Sequence, residues 1–139
     1  MDRQRLYQFL SRFRYGVVSS AGPEGTPQSA LVGIAVTPEL EVIFDTVQSS
    51  RKFANLTARP ACSFVIGWDG EQTAQLEGTA SLPEGDELRW YQEAYFAVWP
   101  DGPDRLKWPG LVHFVVRPQW IRYSDFDQSP PEIVERSVW

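Results

Sequence analysis

The pattern of apolar and polar residues along the chain changes from a helical period to a strand period after residue 14. Within residues 2–13, four large apolar side chains recur at the spacing of one helix face: Leu6, Phe9, Leu10 and Phe13. This spacing predicts an amphipathic helix that lays one face on the body of the protein. We expect its role to be structural.

Three strands are predicted between this helix and the next helical pattern. Residues 15–36 contain two β-type runs separated by the turn sequence Gly22-Pro23-Glu24-Gly25, which predicts a hairpin. A second turn around Pro38 leads into a strand over residues 41–46. Strands joined by such short turns are expected to pair antiparallel.

The second half of the chain continues with strands around one further helix. Asp69-Gly70 is a hairpin signal between the runs 61–68 and 72–82, and the second run alternates so that one of its sides is polar. A helix is predicted over residues 86–98, followed by a loop rich in Pro, Gly and Asp and a strand from Leu111 to about residue 123.

Residues 124–139 predict an ordered arm or a short cap, and the terminal Trp139 indicates that this tail docks on the body. With six strands, at least three helices and no βαβ alternation, the chain of 139 residues is predicted to be a single, mainly antiparallel β-barrel domain.

The second predicted helix begins with an unusual concentration of positive charge. Two serines, Ser49 and Ser50, stand where the N-cap is expected, and Arg51 and Lys52 lie in the first turn. Phe53 and Leu56 fall on one helix face. Cations are unfavourable at the positive end of the helix dipole, whereas a phosphate is favoured there by free N–H groups and cationic side chains. The pattern therefore indicates an anion site, with solvated charges facing acidic neighbours as the alternative.

Composition limits the kinds of partner. A net charge of −5 and a pI near 4.8 disfavour a nucleic-acid binder, and no apolar run reaches the about 20 residues that span a bilayer. The single cysteine, Cys62, lies in an apolar run and is expected to be a buried, inert thiol. We expect a cytoplasmic protein that binds neither nucleic acid nor membrane.

The stretch from Phe44 to Pro60 resembles the flavin-phosphate segment of the pyridoxamine-phosphate oxidase-like split-barrel family. The matching residues are Thr46, Ser50, Arg51, Lys52, Asn55, Leu56 and Pro60. Residues 72–78 and 120–125 resemble two further family strands. The resemblance covers nearly the whole chain and implies a six-stranded split β-barrel of Greek-key type with flanking α-helices.

The resemblance also implies a homodimer with FMN at the subunit interface. By position, Ser50, Arg51 and Lys52 would hold the phosphate, and Gln72 and Thr73 would reach the flavin from the second subunit. The remaining implied cofactor-binding residues line the ring and ribityl chain: Ser29, Ala30, Leu31, Val32, Asp45 and Thr46. Asp45 stands where the family often has Tyr, and a carboxylate beside a negatively charged flavin would be unfavourable.

Two aromatic positions admit more than one interpretation. His113 lies in a β-type run and is interpreted as a packed or hydrogen-bonded strand residue, with a general acid as the alternative. One His and one distant Cys are too few for a metal site. Trp108 is interpreted as core or interface packing, with stacking on flavin or substrate as the alternative.

The leading hypothesis is an FMN-dependent oxidoreductase that acts on an unknown small molecule, with a reduced nicotinamide as a candidate electron donor. FMN itself transfers hydride or electrons, so no catalytic residue is nominated. Authentic pyridoxamine-phosphate oxidases carry a C-terminal Arg-x-His element that this chain lacks, so that oxidation is not expected. A deazaflavin-dependent enzyme and a non-catalytic flavin-binding or storage module are the alternatives.

Overall fold

The computed structural model describes residues 1–139, and its framework is one antiparallel sheet of eight strands. The strands are β1 Tyr15–Ala21, β2 Pro27–Gly33, β3 Ala35–Val36, β4 Val42–Val47, β5 Ala61–Ile66, β6 Gln72–Ser81, β7 Leu111–Asp125 and β8 Glu132–Arg136. The α-helices are α1 Arg3–Leu10, α2 Arg51–Ala58, α3 Gly85–Val98 and α4 Gly102–Arg105.

The sheet curls into a split barrel because of one short connection. The strand order is β2-β1-β5-β6-β7-β4-β3, with β8 added beside β7. Strands β2 and β3 stand at opposite ends of this order, yet only the fully buried Ile34 separates them in the chain. The two edges of the sheet must therefore approach each other. The predicted antiparallel split barrel is confirmed.

The predicted number of six strands is wrong, and two local features explain the difference. The run expected to be one strand over residues 28–36 is interrupted at Ile34, which turns the chain from β2 into β3. Residues Glu132–Arg136 of the tail form β8 and pair antiparallel with β7. The expectation of an ordered arm is thus confirmed, and Trp139 packs against the main core as predicted.

The barrel interior is filled by large apolar side chains from facing strands. Phe44 of β4 stacks on Phe114 of β7 with ring centroids 5.5 Å apart and meets Phe64 of β5 edge-to-face at 5.8 Å. Helix α1 closes one end with the fully buried Leu6 and Leu10, as its helical period predicts.

A second apolar layer forms on the outside of β4 and β7. Tyr91 and Tyr95 of α3 pack there against Ile43 and Val115. Helix α3 agrees with the prediction over residues 86–98, whereas the short α4 within the Pro- and Gly-rich loop was not predicted. None of the helices combines the length and apolar character needed to cross a lipid bilayer.

Candidate functional site

Helix α2 begins with the N-cap that the sequence predicts. The Ser50 Oγ accepts a hydrogen bond from the backbone N–H of Phe53 at 3.2 Å and another from the Thr46 hydroxyl at 2.9 Å. Because both bonds use the lone pairs of Ser50, its own hydroxyl hydrogen is free to donate. The end of β4 and the start of α2 are thus tied together.

The two cations of the first turn of α2 have no acidic partner. No carboxylate lies within 4.0 Å of the Arg51 guanidinium or the Lys52 ammonium, whereas Arg3, Arg105 and Arg117 all form ion pairs. No acidic neighbour therefore pairs with these charges, although Arg51 is exposed to solvent as the alternative interpretation expects. Helix geometry also leaves the first N–H groups of α2 without intrahelical partners. Both features favour an anion at this position.

A cavity of about 210 Å³ opens between this helix terminus and the hairpin formed by β1 and β2. Its lining combines the two cations with uncharged side chains of the hairpin: Val18, Ser20, Gln28, Ser29, Ala30, Arg51 and Lys52. No acidic side chain takes part in the lining. We call this space the α2 cavity. It is suited to an anionic group at one end and to a less polar group along β2.

Asn55 fixes α2 against the hairpin and thereby sets the width of the α2 cavity. Its side chain is 3% exposed, and its Nδ2 donates to Ser20 Oγ at 3.0 Å and to Gln28 Oε1 at 2.8 Å. Sequence analysis did not nominate Ser20 and Gln28 as lining residues. The available signal was Asn55, a polar residue beside Leu56 on the buried face of the helix.

The predicted residues of β2 divide between the two faces of the strand. Ser29 and Ala30 line the α2 cavity, Val32 is 8% exposed and joins the core, and the side chain of Leu31 is 63% exposed on the outer face. Backbone groups of all of these residues follow the edge of the sheet, since β2 is the terminal strand in the hydrogen-bonded order. Thr46 supports the cavity through Ser50 rather than by lining it.

Asp45 does not lie with the other predicted residues. Side chains alternate along β4, so Phe44 and Thr46 are buried inside the barrel while Asp45 points outward under α3 and α4. There its Oδ2 accepts a hydrogen bond from Arg105 Nε at 2.7 Å. The Asp45 carboxylate is thus neutralised on the opposite face of β4 from the barrel interior.

The pair Asp45–Arg105 lies beside the side chains of Tyr95 and His113 under α3, and we call these four residues the α3 cluster. Although burial opposes its charge, the hydrogen bond to Asp45 raises the pKa of Arg105 further above its ordinary value. Burial likewise raises the pKa of Tyr95, whose hydroxyl donates to the Gly33 carbonyl oxygen at 3.3 Å.

His113 lies opposite Asp45 in the β4–β7 register and belongs to the same cluster. Burial between the rings of Tyr95 and Phe96 lowers the pKa of His113, and its Nε2 has no hydrogen-bond partner. The interpretation of His113 as a packed strand residue is confirmed, since its side chain is 3% exposed. It does not line the α2 cavity.

Gln72 and Thr73 lie at the start of β6 and do not line the α2 cavity. The Gln72 Oε1 accepts a hydrogen bond from the Tyr123 hydroxyl at 3.2 Å, in a different cavity beside α1. A role for these two residues beside a flavin therefore requires a second copy of the chain, as the resemblance implies, and stays a prediction.

The remaining sequence candidates, Cys62 and Trp108, do not line the α2 cavity. Burial raises the pKa of the Cys62 thiol to about 11, so the thiol is protonated at neutral pH, although its side chain is half-buried rather than fully buried as expected. The Trp108 side chain is 54% exposed, which excludes packing in the core of its own chain. No group of three or more His, Cys, Asp and Glu side chains is placed to hold a metal ion.

Fold and cavity together define a split-barrel protein with a cationic helix terminus facing a ligand-sized opening. The chain belongs to the pyridoxamine 5'-phosphate oxidase family, because the sequence model of that family matches residues 3–125. This match includes every element from α1 to the end of β7.

Individual relatives share the fold and part of the sequence. The chain is 32% identical over 94 residues to a pyridoxine/pyridoxamine 5'-phosphate oxidase of Nocardioides sp., and the match spans 66% of this chain but only 42% of that relative. A heme binding protein of Mycobacterium smegmatis superposes with a TM-score of 0.83 at 16% identity, over 99% of this chain and 58% of the other.

A third relative is of nearly the same extent as this chain. The pyridoxamine 5'-phosphate oxidase-related, FMN binding protein of Nostoc punctiforme superposes with a TM-score of 0.68 at 13% identity. The superposition covers 99% of this chain and 93% of that one. At this identity the likeness shows the fold alone.

Proposed function

We propose that this protein is an FMN-binding flavoprotein that acts as an oxidoreductase. The observation that carries the proposal is the pair Arg51 and Lys52, which lines the α2 cavity without any carboxylate partner. Family membership and the FMN binding relative of Nostoc punctiforme give it independent support.

The donor set of the α2 cavity fits a phosphate monoester. A dianionic phosphate at the start of α2 would accept hydrogen bonds from the guanidinium of Arg51, the ammonium of Lys52 and the free hydroxyl of Ser50. The helix N–H groups add further donors. The same residues offer nothing to a cationic ligand, because the lining contains no carboxylate.

The small volume of the α2 cavity supports a cofactor site that is completed by a second copy of the chain. Its volume of about 210 Å³ is below the roughly 300–1,000 Å³ of pockets that enclose a whole cofactor. A flavin ring laid along Ser29–Val32 would therefore extend onto the outer face of the hairpin. We propose that the partner subunit covers it there, with Gln72 and Thr73 contributing from that subunit.

An exposed apolar row on the same outer face supports the proposed homodimer. Val17 of β1 stands between Leu31 of β2 and Val65 of β5 in the strand register. The side chains of Leu31 and Val65 are 63% and 41% exposed. An apolar row at the rim of a ligand cavity is typical of a surface that is buried on association.

FMN, when bound, supplies transfer of hydride or electrons between small molecules. The residues of the chain bind and orient the cofactor, and the direction of Asp45 on the outer face of β4 keeps its carboxylate charge away from the ring. The reacting partner is a small molecule, and a reduced nicotinamide is the proposed donor. We do not propose the substrate of the Nocardioides oxidase for this chain, because the match spans only 42% of that relative.

Heme is not supported by the residues of this cavity. The single histidine of the chain, His113, is buried under α3 and does not line the α2 cavity. An imidazole ligand to heme iron is therefore lacking at this position.

Absorption spectroscopy tests the proposal directly. The purified protein, after FMN is added and excess removed by gel filtration, is expected to retain a flavin spectrum with a shifted and structured band. Arg51→Ala with Lys52→Ala is expected to lose the bound flavin while keeping its circular dichroism, with Lys107→Ala as the matched control. Retention of FMN by the double variant contradicts the proposed site, and a parallel titration with a deazaflavin identifies the alternative cofactor.

A further inference from the structure

The wall of the α2 cavity that the hairpin forms carries two polar side chains, Ser20 of β1 and Gln28 of β2. These residues stand directly opposite each other in the β1–β2 register. We call them the hairpin pair. The cations of α2 line the same cavity from the helix side, so a ligand between the two walls contacts both sets of side chains.

One buried amide determines how the hairpin pair forms hydrogen bonds. Asn55 of α2 is 3% exposed, and its Nδ2 donates to Ser20 Oγ at 3.0 Å and to Gln28 Oε1 at 2.8 Å. A side-chain amide has two N–H groups, so these two bonds use both of them. Asn55 does not line the α2 cavity itself. It acts on a ligand only through the hairpin pair, which makes it a positioning residue.

The two bonds from Asn55 leave the hairpin pair with hydrogen-bond donors. A hydroxyl or an amide can normally donate or accept. Because Ser20 Oγ and Gln28 Oε1 already accept from Asn55, the groups that remain are the hydroxyl hydrogen of Ser20 and the two N–H groups of Gln28. Donors therefore face the cavity from both walls, charged on α2 and neutral on the hairpin.

A glycine confines the amide of Gln28 from the other side. A Cβ atom at Gly22 would approach Gln28 Nε2 to 2.7 Å, so the amide occupies space that a side chain at Gly22 would fill. The N–H of Gly22 in turn donates to the carbonyl oxygen of Thr26 at 2.8 Å, which holds the hairpin turn. The Gln28 amide is thus fixed between α2 and this turn, and its donors are ordered before a ligand arrives.

Donors on both walls suit a phosphate with the largest number of unsubstituted oxygens. A phosphate monoester offers three such acceptor oxygens, and a second substituent removes one of them. One oxygen of a monoester can face the hairpin pair while the other two face the cations of α2. The bonds of Asn55 join α2 to both strands of the hairpin, so they close the side of the cavity behind the hairpin pair.

We propose that Asn55, acting through the hairpin pair, makes the α2 cavity selective for a terminal phosphate monoester. A phosphate with a second substituent, such as the flavin-side phosphate of FAD, loses one donor contact and meets the closed side of the cavity. This proposal rests on the proposed function, because it takes the phosphate of FMN as the bound group. It adds the neutral wall of the site and the residue that orients it.

Fluorescence titration with FMN, FAD and riboflavin tests the selectivity. Wild-type protein is expected to bind FMN at least about tenfold more tightly than FAD, because FAD loses a charge-assisted contact. Asn55→Asp preserves the size of the side chain, but its carboxylate accepts from the hairpin pair and turns Gln28 Oε1 toward the phosphate. FMN affinity is expected to fall at least about tenfold, and that of riboflavin, which has no phosphate, by less than about threefold. A general loss of structure would lower both affinities.

Gln28→Glu is the second variant, and it places no charge in a fully buried position. One carboxylate oxygen can still accept from Asn55, while the other replaces the donor that faces the phosphate. The preference for FMN over riboflavin is expected to fall at least about tenfold. Gln119→Glu is the matched control, since Gln119 is exposed on β7 and does not line the cavity. Circular dichroism verifies folding, and Gln28→Glu decides the question if Asn55→Asp does not fold.

The outcomes distinguish this proposal from the proposed function. Loss of the preference for FMN in the folded variants, with the Gln119→Glu control unchanged, supports the proposal. If wild-type protein binds FMN and the variants keep their preference over riboflavin, or if FAD binds as tightly as FMN, the selectivity assigned to Asn55 is wrong while the flavin site stands. If wild-type protein binds no FMN, the proposed function is wrong and this proposal is overturned with it.

Discussion

The α2 cavity and the α3 cluster use charge in opposite ways. In the α3 cluster, Arg105 and Asp45 neutralise each other, with side chains 17% and 15% exposed. In the α2 cavity, Arg51 and Lys52 have no partner within the chain. Since the buried pair is satisfied within the chain while the unpaired cations are open to an external anion, the first region is structural and the second is available for a ligand.

Breaking the ion pair of the α3 cluster is expected to have the largest effect on stability. Arg105→Met leaves the Asp45 carboxylate without a partner in a mostly buried position, which costs about 3–5 kcal/mol in the free energy of unfolding. Urea denaturation measures this loss. The matched control is Arg89→Met, because Arg89 pairs with Asp86 on the surface and its side chain is 74% exposed.

The control variant is expected to change the free energy of unfolding by less than about 1 kcal/mol. FMN affinity measured on the folded Arg105→Met protein should stay close to the wild-type value, since Arg105 does not line the α2 cavity. A loss of FMN affinity without a loss of stability would reverse the assignment of the two regions.

Removing the amide that ties α2 to the hairpin is expected to have an intermediate effect. Asn55→Ala leaves Ser20 and Gln28 without their hydrogen-bond donor and costs about 1–3 kcal/mol in unfolding free energy. It should also weaken FMN binding, because Asn55 sets the position of α2 against β1 and β2. Thr57→Ala, two residues further along the same helix and exposed, is the control and is expected to change stability by about 0.5 kcal/mol or less.

The pH dependence of stability tests the burial of His113. Its ordinary pKa is 6.5 and its pKa in the folded protein is lower, so the unfolded chain binds more protons between these two values. The stability held by neutral His113 is therefore complete above about pH 6.5 and decreases as the pH falls, by at most about 1.4 kcal/mol per pH unit.

His113→Phe, which keeps an aromatic ring between Tyr95 and Phe96, should be less sensitive to acid than the wild type. Urea midpoints at pH 7.5 and pH 5.5 give this difference. Equal losses in the two proteins would show that His113 is not held neutral, and would weaken the description of the α3 cluster as a closed structural unit.

The start of α2 could be predicted from the sequence because its chemistry is local. Ser50, Arg51 and Lys52 are consecutive residues, and the N-cap needs only the backbone three positions further on. The partner of Asp45 could not be found in the same way. Arg105 is 60 positions away on a four-residue helix within a loop rich in Pro and Gly, where helical periodicity cannot be recognised.

The wall of the α2 cavity that β1 and β2 form depends on tertiary packing and was predicted only in part. Ser29 and Ala30 were named through the family resemblance, whereas Ser20 and Gln28 reach the cavity through contacts with Asn55 over 35 and 27 positions. Strand alternation places Asp45 on the opposite face of β4 from Phe44 and Thr46. The sequence alone does not show which of the two faces α3 covers.

The central claim is that the phosphate of FMN binds at Arg51 and Lys52, and comparison of FMN with riboflavin tests it most directly. Riboflavin lacks only the phosphate, so fluorescence titration of both ligands isolates the contribution of this group. Two charge-assisted contacts predict that the wild-type chain binds FMN about a hundredfold more tightly than riboflavin or better. In Arg51→Ala with Lys52→Ala this preference should largely disappear. Equal affinities in the wild type, or an unchanged preference in the double variant, would contradict the account.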